Sequence, residues 1–165
     1  MASQKDFKVG SWVVYPSHGV GKLNDIEKII VDGMTLEFFV ITFEKSRLTL
    51  KLPVKKAVDA GLRKISSKEG LKEIFDSLLK KSKKRKTMWS KRAQEYEAKI
   101  NSGNPVSIAE VLRELYKEDG ENSQSFSERQ VYQQAMERLA CEVSVVETID
   151  EAEAVKRIET VLRAA

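Results

Sequence analysis

The apolar pattern of this chain changes period once, at Pro53, and that change limits it to a small β module followed by helices. From Val9 to Pro53, β-branched and aromatic residues are interrupted at short intervals by turn formers, which predicts four or five strands. Trp12–Tyr15 reads as the first, and Pro16-Ser17-His18-Gly19 turns the chain into a second that runs from Val20 to about Ile30. Asp32-Gly33 is a two-residue hairpin signal, and the almost wholly apolar Met34–Phe43 returns as a central strand. After a turn at Glu44-Lys45-Ser46, the span from Arg47 to Leu52 alternates. Leu48, Leu50 and Leu52 share one face and Arg47, Thr49 and Lys51 the other, as in a half-buried strand near a sheet edge. Pro53 ends it.

Beyond Val54 the signals turn helical. Four S/T-x-x-E patterns, opening at Ser66, Ser107, Ser125 and Thr148, place a hydroxyl and a carboxylate where they can satisfy orphaned amides, and so predict four helix starts. A fifth helix is expected from Thr87 or Met88 to just before Gly103, because Trp89, Arg92, Ala93, Tyr96 and Ile100 follow helical spacing. Ile108, Val111, Leu112 and Leu115 give the next helix an apolar stripe, as do Val131, Ala135, Leu139, Val143 and Val146 in the long one after it. The expected class is α+β, with a β domain over 1–66 and a helical domain over 67–165. No internal repeat is present.

Charge is distributed unevenly. Residues 1–66 hold 11 basic and 7 acidic side chains, residues 67–99 hold 11 and 5, and residues 100–165 hold 7 and 13, behind a net charge of only +4. A basic centre beside an acidic tail suits contact with a polyanion on one face. The lone Cys141 excludes an internal disulfide and a thiol zinc cluster, which points to a reducing compartment, the cytoplasm. The first residues lack an apolar leader and no apolar run is long enough to span a bilayer, so neither export nor membrane insertion is expected.

Catalytic chemistry finds little support. The one His and the one Cys stand 123 positions apart, in different expected domains. His18 is read as bracing its turn, Cys141 as core, and Gly19 and Gly21 as marking a bulge or tight strand start, since no helix follows to make a phosphate loop. No enzyme activity, metal or cofactor is expected. The basic run Lys80–Lys86, which includes Arg85 and Lys86, reads alone as a solvated linker, but Met88-Trp89-Ser90-Lys91-Arg92 follows it at a helix start. An indole and two cations there can track phosphates and wedge into a groove, while core packing of Trp89 remains equally open. Charges at Arg47, Thr49 and Lys51 can serve as a guard against aggregation or as the edge on which a partner strand pairs. Trp12, Tyr15, Phe38 and Phe43 offer a further reading as a cage for a methylated cation, although alternation favours the core for them.

Three segments together carry a resemblance that covers nearly the whole chain in order: FKVGSWVVYPSHGVGKL, LTLKLP with its following Ala-Gly-Leu-Arg, and MWSKR followed by SIAEVLRELY. They resemble the CarD family of bacterial transcription regulators, in the branch without extra DNA-binding tails. The resemblance implies an N-terminal Tudor-like β barrel that binds the β subunit of RNA polymerase, similar to the polymerase-interacting domain of transcription-repair coupling factor. It also implies a helical domain that contacts promoter DNA at the upstream edge of the bubble. Carried over by position, it assigns polymerase contact to the strand with Arg47, Thr49 and Lys51, and places Lys28 or Ile29 where another basic contact would be. Lys51 stands where an arginine is common, keeping the charge but not the planar fork. Trp89 matches a tryptophan that wedges into the minor groove, Lys91 and Arg92 match its basic neighbours, and Arg129 matches a further DNA contact. The expected function is a monomeric regulator that stabilises the open complex. A coupling-factor-like adaptor and a Tudor-type reader of a modified peptide stand as alternatives.

Overall fold

Turn chemistry and alternation convert the first part of the chain into an antiparallel sheet in the computed structural model, which describes residues 7–80, 87–117 and 125–164. The strands are β1 (Trp12–Tyr15), β2 (Gly19–Val31), β3 (Met34–Phe43), β4 (Leu48–Pro53) and β5 (Arg63–Lys64), hydrogen-bonded in the order β4-β3-β2-β1-β5. Among the described residues the ladder does not close, so the Tudor-like module is an open five-stranded sheet with β4 and β5 at its ends. Asp32 and Gly33 make the hairpin turn with φ of 51° and 78°, and Val31 pairs directly with Met34. Both central residues in the left-handed region are what a right-twisted hairpin requires.

Leu23, Phe39, Ile41, Phe43 and Leu52 point to one side of this sheet and form its core with Phe7, Val13, Val54, Ala57 and Leu62. Leu48 and Leu50 pack partly against that core, while Thr49 and Lys51 face solvent. Arg47 departs from the expected alternation. It sits in the turn before β4 with φ of 52°, its amide donating to the Glu44 carbonyl, so the strand does not set its side-chain direction.

Two elements interrupt the expected run of helices after Pro53. Helix α1 (Val54–Ala57) is a single turn, and β5 returns to pair with β1, Val13 opposite Lys64 and Val14 opposite Arg63. Burial of Ala57 and Leu62 fixes this return, and two residues are too few to show alternation. Gly19 opens β2 in the left-handed region, φ 79°, as a tight strand start, and Gly21 marks a close approach rather than a bulge. A Cβ on Gly21 would lie 2.7 Å from the Phe43 ring and 2.8 Å from Ile41, and the bulge falls later, between Leu23 and Asp25.

The helical part comprises α2 (Lys68–Leu79), α3 (Trp89–Asn101), α4 (Pro105–Leu115), α5 (Phe126–Glu147) and α6 (Glu151–Ala164). Chain contacts divide the molecule into two compact units, Met1–Ile65 and Ser66–Ala165. Of the four expected caps, only Ser125 acts as read, its hydroxyl accepting from the Glu128 amide at 3.2 Å. Ser67 rather than Ser66 caps α2, accepting from the Gly70 amide. Ser66 is drawn instead to the buried Glu142 of α5, which accepts from both its amide, at 2.9 Å, and its hydroxyl. Asn104 caps α4 with Pro105 at the first helical position, leaving Ser107 inside the helix. Thr148 ends α5 in the left-handed conformation, φ 55°, and Asp150 caps α6 by accepting from Glu153.

Ile74, Leu78, Ile100, Leu112, Leu139 and Ile158 lie at the centre of the helical core, and the expected stripes on α4 and α5 face into it. Arg113 reaches two helix ends at once, one guanidinium nitrogen donating to the carbonyls of Leu78 at 3.2 Å and Leu162 at 2.9 Å. Those carbonyls belong to last turns, which have no intrahelical donor. No helix among the described residues is long and apolar enough to cross a membrane.

Replacing Gly21 with Ala forces the Phe43 ring or Ile41 to move. The substitution is expected to destabilise the β unit by about 1–3 kcal/mol, read as a lowered midpoint in chemical unfolding.

Candidate interaction surfaces

Strand alternation sorts the expected polymerase contacts onto two faces. On the side away from the core, Thr49 pairs with Thr42 and Lys51 with Val40, and the same side carries Phe38 opposite Glu27 and Leu36 opposite Ile29. Lys51 reaches across β3 to Glu27, Nζ to Oε2 3.0 Å, so its charge is oriented over that outer face. Lys28 does not join it. It pairs with Glu37 on the opposite side of the ribbon, Nζ to Oε1 3.7 Å, and the residue that shares the Lys51 face is Ile29. The structure therefore brings Thr49 and Lys51 together and leaves Arg47 in a turn and Lys28 on the other face.

Because β4 ends the ladder, its outer backbone groups have no neighbouring strand among the described residues, which is the geometry needed for pairing with an added strand. The aromatic cage is not assembled. Tyr15 and Phe43 lie on the core side, where His18 stacks on Tyr15 at 5.7 Å and meets Phe43 at 5.2 Å. Trp12 and Phe38 fall on the outer face by register, and Trp12 already carries Lys22 over its ring at 5.5 Å. His18 itself is exposed, its amide donating to the Tyr15 carbonyl in the turn. Cys141 is half-buried rather than core. Among the described residues, no group of three or more His, Cys, Asp and Glu side chains is placed to hold a metal.

The second surface begins at the N-terminus of α3. Trp89 is half-buried: it packs against the helical core yet keeps part of its side chain in solvent. Its inner partner is Tyr96, ring centroids 6.0 Å apart. The Arg92 guanidinium lies 5.6 Å from the Trp89 ring and 5.5 Å from the Tyr96 ring, and donates to the Tyr96 hydroxyl at 2.8 Å and 3.2 Å. Burial of the Tyr96 phenol, followed by its hydrogen bond to Glu114, raises its pKa, so it stays neutral and passes the polar chain from Arg92 to Glu114. Arg92 is thus committed to holding Trp89, while Lys91 and Met88 beside it are exposed.

Arg129 stands in the first turn of α5 with its guanidinium carbon 6.0 Å from the exposed Phe126 ring. Helices α3 and α5 pack together, which puts Trp89 and Arg129 on neighbouring elements. Arg85 and Lys86 lie outside the described residues. Sequence reasoning missed Tyr96 and Glu114 as supports of Trp89; the i,i+4 spacing of Arg92 and Tyr96 was the available signal.

Comparison with known proteins connects these surfaces to a family. The model for the CarD-like/TRCF RID domain matches residues 7–66, and that for the CarD C-terminal domain matches residues 73–159. A similar protein of Bacillus subtilis (strain 168), named "Putative transcription factor YdeB", is 28% identical over 145 residues, which is 88% of this chain and 95% of that protein.

Arg92→Met removes the cation over the indole while keeping the side-chain length. In a protein carrying Trp12→Phe, so that Trp89 alone emits, the fluorescence is expected to shift to longer wavelength with a stability loss of only about 0.5–1 kcal/mol.

Proposed function

This chain belongs to the CarD family, and on that premise we propose that it regulates transcription initiation by holding RNA polymerase with its β unit and promoter DNA with its helical unit. The observation that carries this reading is the half-buried Trp89, braced from behind by Arg92 and Tyr96 and flanked in solvent by Lys91 and Met88. A braced aromatic edge beside an exposed cation is suited to a distorted minor groove, where unstacking is offset by contacts to the opened DNA.

The polymerase contact of this proposal is the outer edge of β4, with Thr49 and Lys51 directed at the β subunit and β4 adding to one of its strands. Arg47 flanks this edge from its turn. On the DNA side, Lys91, Arg85, Lys86 and Arg129 supply charge for phosphates. Such contacts read no sequence, and none is needed, because attachment to polymerase supplies the location and raises the local concentration of DNA. Contacts made to the opened fork and not to closed duplex shift the equilibrium towards the open complex.

No bond is made or broken in this scheme, so the role is that of a non-catalytic regulator, acting as a monomer in the cytoplasm and requiring no cofactor. A role as an adaptor in elongation or repair would share the polymerase edge but would not require Trp89.

Promoter opening by the cognate polymerase separates these possibilities. Trp89→Ala is expected to bind polymerase normally while shortening the lifetime of the open complex several-fold, and Lys51→Glu to weaken polymerase binding by roughly tenfold. Wild-type protein that neither binds polymerase nor alters opening would falsify the reading.

A further inference from the structure

Helices α2, α4, α5 and α6 each begin at a side chain that caps them, whereas Met88 at the start of α3 makes no such bond and the first turn holds no acidic residue. A first turn without a cap is held weakly by its own backbone, and Trp89 opens this one. What fixes the indole lies further along the helix. Separations of three and four residues put Trp89, Arg92 and Tyr96 on one face, in that order from the helix end inward. The Arg92 guanidinium lies 5.6 Å from the Trp89 ring and 5.5 Å from the Tyr96 ring, and the two rings are 6.0 Å apart.

At the inner end of this face the Tyr96 hydroxyl completes a fixed set of bonds. Tyr96 is fully buried, and its oxygen accepts from Arg92 Nη2 at 2.8 Å and from Nε at 3.2 Å. Its one proton is donated to Glu114 of α4. Nε and Nη2 form a side of the guanidinium that could grip two oxygens of a phosphate, and here the phenol oxygen occupies it. Glu114 stands on a helix whose Val111, Leu112 and Leu115 are in the core, so the chain of contacts from the indole ends on a firmly packed element. A salt bridge from Lys99 to Glu110, 3.0 Å, joins the same two helices again. Lys91, next to Arg92, is exposed.

We infer that Tyr96 and Glu114 are positioning residues for the Trp89 wedge, and that Arg92 acts with them on the indole and not as a phosphate contact. This rests on the proposed wedge and states what aims it. A ring free to swing must be ordered at each encounter with DNA, which weakens every contact it makes there. A ring already held by a cation and a buried phenol meets the groove with that ordering done. The two basic neighbours of Trp89 therefore divide the work: Lys91 faces the phosphates, and Arg92 faces inward to Tyr96.

Open-complex lifetime with the full-length protein and its cognate polymerase, together with the salt dependence of binding to fork DNA, tests this. Tyr96→Phe keeps the ring and removes only the hydroxyl. It is expected to shorten the lifetime several-fold with polymerase binding unchanged, and to shift Trp89 emission to longer wavelength in the Trp12→Phe protein. Arg92→Lys keeps the charge but loses the planar fork, and is expected to shorten the lifetime as much as Arg92→Gln does. Lys91→Gln is expected to reduce the slope of log affinity against log salt by roughly 0.7–0.9, one phosphate contact, and Arg92→Gln to leave it unchanged. Glu114→Leu is expected to shorten the lifetime in the same direction as Tyr96→Phe. In a Trp89→Ala background, Tyr96→Phe, Arg92→Lys and Glu114→Leu are expected to add nothing, whereas a loss through general destabilisation would persist there. A wild-type lifetime with Arg92→Lys overturns the inference, as does an equal fall in slope for Arg92→Gln and Lys91→Gln, or a Tyr96→Phe loss that persists without Trp89. An unchanged lifetime in Glu114→Leu overturns the part assigned to Glu114. If Trp89→Ala shortens the lifetime while Tyr96→Phe and Arg92→Lys behave like wild type, this inference fails and the proposed function stands; if Trp89→Ala has no effect, both fail.

Discussion

The pairing of β2 with β3 decides every other relation in the β unit. Side chains alternate with a period of two, so a slip of β2 by one residue against β3 would send Leu23 and Ile26 away from the core and bring Glu27 and Ile29 inward. The turn at Asp32-Gly33 prevents that slip, because its left-handed pair of residues admits only the register with Val31 opposite Met34. The close approach at Gly21 restricts the other end of β2 against Phe43 and Ile41. With the two long strands fixed, β4 has one edge to occupy, and Lys51 reaches Glu27 across β3.

A comparable constraint in the helical unit is the single guanidinium of Arg113. It gathers the last-turn carbonyls of α2 and α6 at a point on α4, which couples three helices that are distant in sequence. The apolar stripes supply most of the cohesion, but they are tolerant of small rotations. Hydrogen bonds to two carbonyls are not, and they determine how far α2 and α6 can turn about their axes. On the same unit, Arg92 performs a related task for Trp89, with Tyr96 and Glu114 behind it.

Much of this architecture was legible in the order of residues, and the failures have physical causes. Strands β1 to β4 and the hairpin followed from alternation and from Asp32-Gly33, because those signals are local. β5 was invisible, since a two-residue strand has no pattern and exists only because Leu62 is buried. Capping motifs located helices more reliably than their first residues: Ser125 capped as read, whereas Ser66 was claimed by Glu142, a residue 76 positions away. Pro105 and Asn104 outranked Ser107 for the same job. Positions along the outer strand could be assigned from sequence, yet the choice between Lys28 and Ile29 could not, because a bulge after Leu23 resets which residues of β2 look outward. For Trp89, spacing allowed both burial and exposure, and the side chain has some of each.

The hydrogen bonds from Ser66 to Glu142 bear on how the two units can pull on one another. Ser66 is the first residue of the helical unit, and its amide and hydroxyl are both fastened to Glu142, in the later part of a 22-residue helix. A tug arriving along the backbone from the β unit therefore meets α5 before it meets the capped end of α2. Force spread along a long helix that packs against α4 and α6 must shear many contacts together, whereas force on a helix terminus peels them one turn at a time. The junction is in that sense a cleat, and load carried along the chain into the helical unit reaches a long packed helix before it reaches a helix end.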